Sequence, residues 1–124
     1  MNHRLTLLED LDELDRALSN SHVKPVLLFK HSRTCGISAE ALDELHAHLE
    51  EPSSVDAAMY AIVTVQTHRH VSNEIAARLG VRHETPQAIL VRDGRVIWTA
   101  SHFRVNATEL QKALGATAST NATN

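Results

Sequence analysis

The sequence predicts an α/β fold in which a mixed sheet of four to five strands is flanked by helices. Three observations carry this. Val26-Leu27-Leu28-Phe29, Ala58 to Val65 and Ala88-Ile89-Leu90-Val91 are continuous apolar runs rather than alternating ones, the pattern of strands covered on both faces. Between them lie segments with apolar residues at helical spacing, and strands joined by a helical crossover run parallel. After the last run, Arg92-Asp93-Gly94-Arg95 reads as a hairpin turn and Val96-Ile97-Trp98-Thr99-Ala100 as the returning antiparallel strand.

Each element has a local reason. The first five residues suit a short edge strand. Thr6-Leu7-Leu8-Glu9 has the form of a capping box, and Leu8, Leu11, Leu14 and Leu18 then mark one face of a helix over about residues 7–20. Ser19 to His22 is a polar stop, and Pro25 precedes a strand over 26–31, where its missing N–H is tolerated. Ile37, Ala41, Leu45 and Leu49 give a second helix that follows Cys35 and breaks at Glu51-Pro52-Ser53-Ser54. Ser72 is the expected cap of a third helix, with Val71 or Ile75 and Leu79 facing inward and Gly80 as a left-handed end. Asn106 to Glu109 is another capping box, opening a last helix that Gly115 ends. One domain over residues 1–115 is expected, and the small polar tail 116–124 is expected to be disordered.

Composition narrows the class. At 124 residues the chain is long enough for a single core, and a net charge of −3 argues against nucleic acid as its main partner. No long apolar segment and no basic-then-apolar leader is present, so neither a membrane span nor a secretion signal is expected, and the location reads as cytoplasmic. Asn106-Ala107-Thr108 and Asn121-Ala122-Thr123 match a glycosylation pattern but read as chance in that setting. The chain has one cysteine, so any disulfide chemistry passes through a mixed disulfide with another molecule.

That cysteine lies in Phe29-Lys30-His31-Ser32-Arg33-Thr34-Cys35-Gly36-Ile37-Ser38, where the first apolar run gives way to a helix. A thiol there faces unpaired backbone N–H groups and the positive end of the helix dipole, and Lys30, His31 and Arg33 are possible cations nearby. Both features favour thiolate. Free cysteines titrate near ~8.5, whereas helix N-termini and neighbouring cations bring reactive ones to ~3.5–7.5. The competing account of Cys35 is a small buried hydrophobe. Nine histidines raise a metal reading, with His46/His48 and His68/His70 as the obvious pairs. Side chains two apart on a helix diverge, and no third ligand accompanies either pair, so no metal is expected.

The element order, a cysteine after the first central strand and a proline just before the third strand resemble the thioredoxin fold. Phe29 to Ser38 is similar to the active-site segment of the monothiol bacilliredoxins (the YtxJ-like family), whose motif runs Lys-His-Ser-x-Thr-Cys-Pro-Ile-Ser. Thr85-Pro86-Gln87, the Asp93-Gly94 hairpin and Ala100-Ser101-His102 extend the match over about residues 5–114. One departure is Gly36, where the family has proline; glycine leaves the helix start more mobile.

The resemblance implies a monothiol thiol-disulfide oxidoreductase that removes bacillithiol from protein mixed disulfides through a Cys35 thiolate. Gly36, Ser38, Thr34, Arg33 and His31 are then expected to stabilise the thiolate, with Ser38 standing where a dithiol thioredoxin has its resolving cysteine. Thr85 and a cis Pro86 are expected to bind the extended substrate segment. Phe29 stands where dithiol thioredoxins carry a buried acid. The implied partners are bacillithiolated proteins and a low-molecular-weight thiol or regenerating reductase, with bacillithiol as co-substrate and no resident cofactor. Bland readings stand beside these: Ser38 as a plain helix-start residue, His31 as packed and neutral. Two other functions fit the same residues. Cys-Gly-Ile-Ser is close to the Cys-Gly-Phe-Ser of monothiol glutaredoxins that use glutathione or an iron–sulfur cluster, and an adaptor binding extended peptides at the Pro86 edge needs no turnover.

Overall fold

The computed structural model describes residues 4–122, with side chains through residue 116. Its strands are β1 (Leu5–Leu7), β2 (Val26–His31), β3 (Met59–Thr64), β4 (Gln87–Arg92) and β5 (Arg95–Ser101), and its helices are α1 (Leu11–Asn20), α2 (Gly36–Glu50), α3 (Arg69–Leu79) and α4 (Ala107–Ala122). The five strands form one sheet in the order β1-β3-β2-β4-β5. β3 runs parallel to both β1 and β2, while β4 is antiparallel to β2 and β5. The two expected kinds of connection, crossover and hairpin, thus produce the mixed sheet.

β2 lies in the centre because every side chain from Val26 to Lys30 is buried. Alternation sends Leu27 and Phe29 to one face, against Leu45, Leu49, Leu110 and Leu114 of α2 and α4. Val26 and Leu28 go to the other, against Leu14 and Ala17 of α1 and Val71 and Ile75 of α3. Each fully buried leucine or phenylalanine contributes ~1.5–3 kcal/mol relative to exposure, so the sheet is held from both sides. This double cover explains why the apolar runs do not alternate.

Several boundaries differ from the sequence expectation. The first helix begins at Leu11 rather than near residue 7, because Leu5–Leu7 pairs with Tyr60–Ile62 of β3 as a fifth strand. Its cap is Asp10, whose Oδ1 accepts from the Glu13 N–H at 2.8 Å, while Glu13 Oε1 accepts from the Glu9 N–H at 3.3 Å. The Thr6 to Glu9 box is therefore not used. α3 begins at Arg69 after His68, without a side-chain cap, and Ser72 is buried inside the helix rather than capping it. Gly80 closes α3 in the left-handed conformation as expected, with φ 64°. Asn106 caps α4 through the Glu109 N–H at 2.9 Å, but α4 continues through Gly115 to Ala122 instead of ending there. Gly115 is not among the positive-φ residues, and glycine costs a helix only ~1 kcal/mol when it is not needed as a stop. Residues 116–122, assigned from sequence to a disordered tail, thus belong to α4; 123 and 124 lie outside the described residues.

The hairpin is as read: Asp93 and Gly94 have φ 52° and 75°, the paired left-handed geometry of a two-residue turn whose twist suits the flanking strands. Its register shifts at Leu90/Val91.

A polar network centred on buried His48 and Tyr60 and reaching the surface at Gln111 ties α2, β3 and α4 together. His48 contacts Tyr60 Oη through Nε2 at 2.8 Å and Gln111 Oε1 through Nδ1 at 3.0 Å, and Gln111 Nε2 donates to Ser53 Oγ at 2.7 Å. Burial holds His48 below the usual imidazole range, against the opposing pull of its bond to Gln111. His31 and His83 are lowered as well, in both cases mainly by burial. The unfolded chain takes up these protons near pH ~6.5 while the folded one does not, so it binds more protons in that range and stability falls as pH falls through it. The slope is at most about 1.4 kcal/mol per pH unit for each histidine. Denaturant titrations at pH 7.5 and 5.5 should show a lower midpoint at the acidic pH, with a smaller drop in His48→Gln; a midpoint independent of pH contradicts this.

Candidate functional site

Cys35 occupies the turn between β2 and α2. Its backbone is extended, with φ −109° and ψ 123°, and it is the N-cap residue of α2 with no side-chain cap hydrogen bond. The first intrahelical bond runs from the Ala39 N–H to the Cys35 carbonyl at 3.1 Å. An N-cap side chain is the group that normally accepts from the second and third helical N–H groups, so the sulfur stands where an acceptor is wanted, and an anion is the better acceptor. Cys35 is a free thiol and partly exposed, so a disulfide can reach it. This is not the buried-hydrophobe placement.

Ser38 is fully buried, and its hydroxyl is engaged away from the cysteine. Oγ accepts from the Ser32 N–H at 2.9 Å and lies 2.8 Å from His31 Nδ1. Burial, with Arg33 adding like charge, keeps His31 below its ordinary range and therefore neutral at pH 7. With Nδ1 unprotonated, the Ser38 hydroxyl donates to it, and the hydroxyl's hydrogen bonds run to His31 and Ser32. The sequence expectation that Ser38 bonds the thiolate is replaced by a different role: it locks the end of β2 to the first turn of α2.

Lys30 and His31 alternate to opposite faces of β2. Lys30 has 0% exposure, shares its face with Val26 and Leu28, and places Nζ 3.1 Å from His83 Nδ1. Desolvation pushes it down to about 8. It is committed to His83, so it does not act as a cation at Cys35. Arg33 is exposed and is the neighbouring cation that is left.

One residue that sequence reasoning missed organises this turn. Gln66, just past β3, accepts from the Arg33 N–H through Oε1 at 3.0 Å, and its Nε2 donates to Ser32 Oγ at 2.7 Å and Thr34 Oγ1 at 3.3 Å. Thr34 is thereby fixed in the turn. Only the pairing of β2 with β3 brings Gln66 there, so nothing in the local sequence signalled it. Gly36, the first helical residue, is not among the positive-φ residues, and a Cβ there would meet nothing within 4 Å. The site tolerates glycine without requiring it.

Thr85–Pro86 is a cis peptide bond. Gln87 pairs with Lys30, so this bond emerges at the same end of the sheet as the Cys35 turn. Among the described residues neither backbone group of Thr85 is hydrogen-bonded, whereas the Pro86 carbonyl accepts from the His102 N–H at 2.9 Å. His102 has φ 58° and opens a 3-10 turn with exposed Phe103. His48 is spent on Tyr60 and Gln111, the His68 and His70 rings lie 6.4 Å apart, and no group of three or more potential ligands is assembled among the described residues. No helix among them is long and apolar enough to cross a membrane.

If Ser38 is a clamp rather than a thiolate donor, Ser38→Ala leaves the buried Ser32 N–H unpaired and frees the part-buried His31 Nδ1, and costs ~1–3 kcal/mol in denaturant unfolding. Cys35 in that variant should still react with iodoacetamide. Unchanged stability with lost reactivity contradicts the clamp.

Comparison with solved structures places the chain among proteins of the thioredoxin fold. A proposed oxidoreductase with a thioredoxin fold is 31% identical, with a TM-score of 0.76 over 88% of this chain and 92% of its own. A thioredoxin of Malassezia sympodialis is 16% identical, with a TM-score of 0.72 over 90% and 89%. That of Fasciola hepatica is 14% identical, with a TM-score of 0.71 over 90% and 97%. The last two share the fold. The family model described as monothiol bacilliredoxin BrxC matches residues 6–110, and the chain therefore belongs to the monothiol bacilliredoxin family, with a thioredoxin fold and a thiol redox role.

Proposed function

We propose that the protein removes bacillithiol from proteins by thiol–disulfide exchange at Cys35. The observation that carries this is a single, partly exposed thiol capping α2, in a family defined by monothiol chemistry. The Cys35 thiolate attacks the bacillithiol sulfur of a protein–S–S–bacillithiol disulfide. A Cys35–bacillithiol S–S bond forms, the protein–bacillithiol S–S bond breaks, and the electron pair leaves with the protein sulfur as a thiolate. A second bacillithiol thiolate then attacks the bacillithiol sulfur, releasing bacillithiol disulfide and Cys35 thiolate. A partner reductase can supply the same two electrons.

The roles of the surroundings follow from this. Ile37 and Ser38, the second and third residues of α2, have the backbone N–H groups that an anion at the N-cap position accepts from, and Arg33 adds charge. Ser38, Thr34 and His31 act by holding the turn. Ser38 has no thiol to resolve the adduct, so turnover depends on the second thiol. Thr85 has free backbone groups to pair with an extended client segment alongside cis-Pro86.

A peptide carrying a bacillithiol mixed disulfide, followed by mass spectrometry with and without free bacillithiol, tests the reading. Wild type should release up to one peptide thiol per chain without bacillithiol and, with it, many more than free bacillithiol releases by direct exchange alone, whereas Cys35→Ser should release none without bacillithiol and only that uncatalysed amount with it. Faster release from the glutathione mixed disulfide moves the assignment to a glutaredoxin activity. Peptide binding that survives in Cys35→Ser, with no release by wild type, makes it an adaptor.

A further inference from the structure

The surface on either side of His102 divides into two cavities of opposite charge. One, of about 390 Å³, lies between α2 and the 3-10 turn, with Ile37 and the 69% exposed Phe103 as its apolar part and Glu40, Asp43 and Glu44 along it. The other, of about 550 Å³, lies between the 82–87 segment and the end of β5. It carries Arg82 and Arg104, both exposed, against the single carboxylate of Glu84. Neither arginine has an ion-pair or hydrogen-bond partner for its guanidinium among the described residues. The arginines that do are Arg4, Arg78 and Arg92.

Gln87 lines this second cavity and is 3% exposed. Its Nε2 donates to the Arg82 carbonyl at 3.0 Å, which fixes the backbone that presents the Arg82 side chain. Its Oε1 is buried and has no hydrogen-bond partner. A buried acceptor left unpaired costs ~1–3 kcal/mol, so a ligand donor that reached it would recover energy that the empty site forgoes. The cavity thus offers two free cations and an unused acceptor, next to cis-Pro86 and one residue from Thr85.

A protein–small-thiol disulfide has two arms to place on either side of the attacked bond. We propose that the cavity lined by Arg82, Gln87 and Arg104 holds the low-molecular-weight arm, and that this arm is a thiol bearing a carboxylate and an O–H or N–H donor. Arg82 and Arg104 take the carboxylate, and Gln87 Oε1 accepts from the donor. The acidic groove on the other side of His102 repels that arm and is left to the client protein. The inference rests on the exchange reading above and names what selects the small thiol. Held this way, on the face of the sheet that Gln87 shares with Lys30, the arm reaches past cis-Pro86 at the end of the sheet to bring its sulfur to Cys35, where the new S–S bond forms as the client sulfur departs with its electron pair.

Three symmetrical disulfides separate the pocket from the chemistry: 3,3′-dithiodipropionate, which is anionic, bis(2-hydroxyethyl) disulfide, which is neutral, and cystamine, which is cationic. The rate of Cys35 adduct formation with each is followed by intact mass. In the double variant Arg82→Gln/Arg104→Gln the ratio of the anionic to the neutral probe should fall about tenfold, the size of two screened charge contacts. Arg95→Gln, in the hairpin turn, should leave that ratio unchanged. An unchanged ratio in the double variant overturns the inference, as does an equal fall in Arg95→Gln. Should Cys35 prove inert to all three probes, the exchange reading fails, and the pocket is judged separately. For this, amide shifts of Cys35→Ser are recorded on titration with 3,3′-dithiodipropionate. Shifts centred on residues 82–87 and 101–104 support the pocket; shifts centred on α2, or none, overturn it.

Discussion

The geometry at Cys35 depends on one buried hydroxyl. Ser38 Oγ joins the Ser32 N–H and His31 Nδ1, and so binds the last residue of β2, the turn and the first turn of α2 into a single unit. That contact is the side-chain tie between the helix start and the end of β2. Gln66 supplies the second constraint from the neighbouring strand by pairing with Ser32, Arg33 and Thr34. Between them the two side chains hold the cysteine in the extended N-cap geometry, where backbone N–H groups and the helix dipole favour an anion. The unit rests on β2, buried on both faces, so the site inherits the rigidity of the centre of the sheet.

This arrangement gives the position of a resolving cysteine a different use. In a dithiol site that residue attacks the mixed disulfide; here it is a serine whose hydroxyl is engaged by the Ser32 N–H and His31. The same logic applies to Phe29, which packs in the core formed with α2 and α4, where a dithiol relative would use an acid. Monothiol chemistry is thus written into the packing as well as into the cysteine count. With one cysteine in the sequence, an adduct at Cys35 must wait for a thiol from another molecule.

The core strands, the hairpin and the position of Cys35 were legible because each has a local signal: apolar runs, Asp93-Gly94, and a cysteine at the head of a helical pattern. The first helix was misplaced because Thr6 to Glu9 and Asp10 to Glu13 both offer caps, and only the pairing of Leu5–Leu7 with β3 decides between them. Gly115 failed as a stop signal because a glycine marks a helix end only where the chain turns left-handed, as at Gly80. In the site, Gln66 and the Lys30–His83 contact were invisible for a common reason: each joins residues far apart in sequence through sheet pairing. Lys30 illustrates the limit well. Next to the cysteine motif it reads as a cation for the thiolate, yet strand alternation turns it to the opposite face of the sheet.

The most direct test is the fate of the Cys35 adduct. The protein is exposed to excess bacillithiol disulfide, freed of reagent, and followed by intact mass before and after addition of free bacillithiol. The account predicts one adduct per chain, located at Cys35, stable until the second thiol arrives and then lost. Failure to form the adduct, or its loss without added thiol, would contradict a monothiol exchange site at the head of α2.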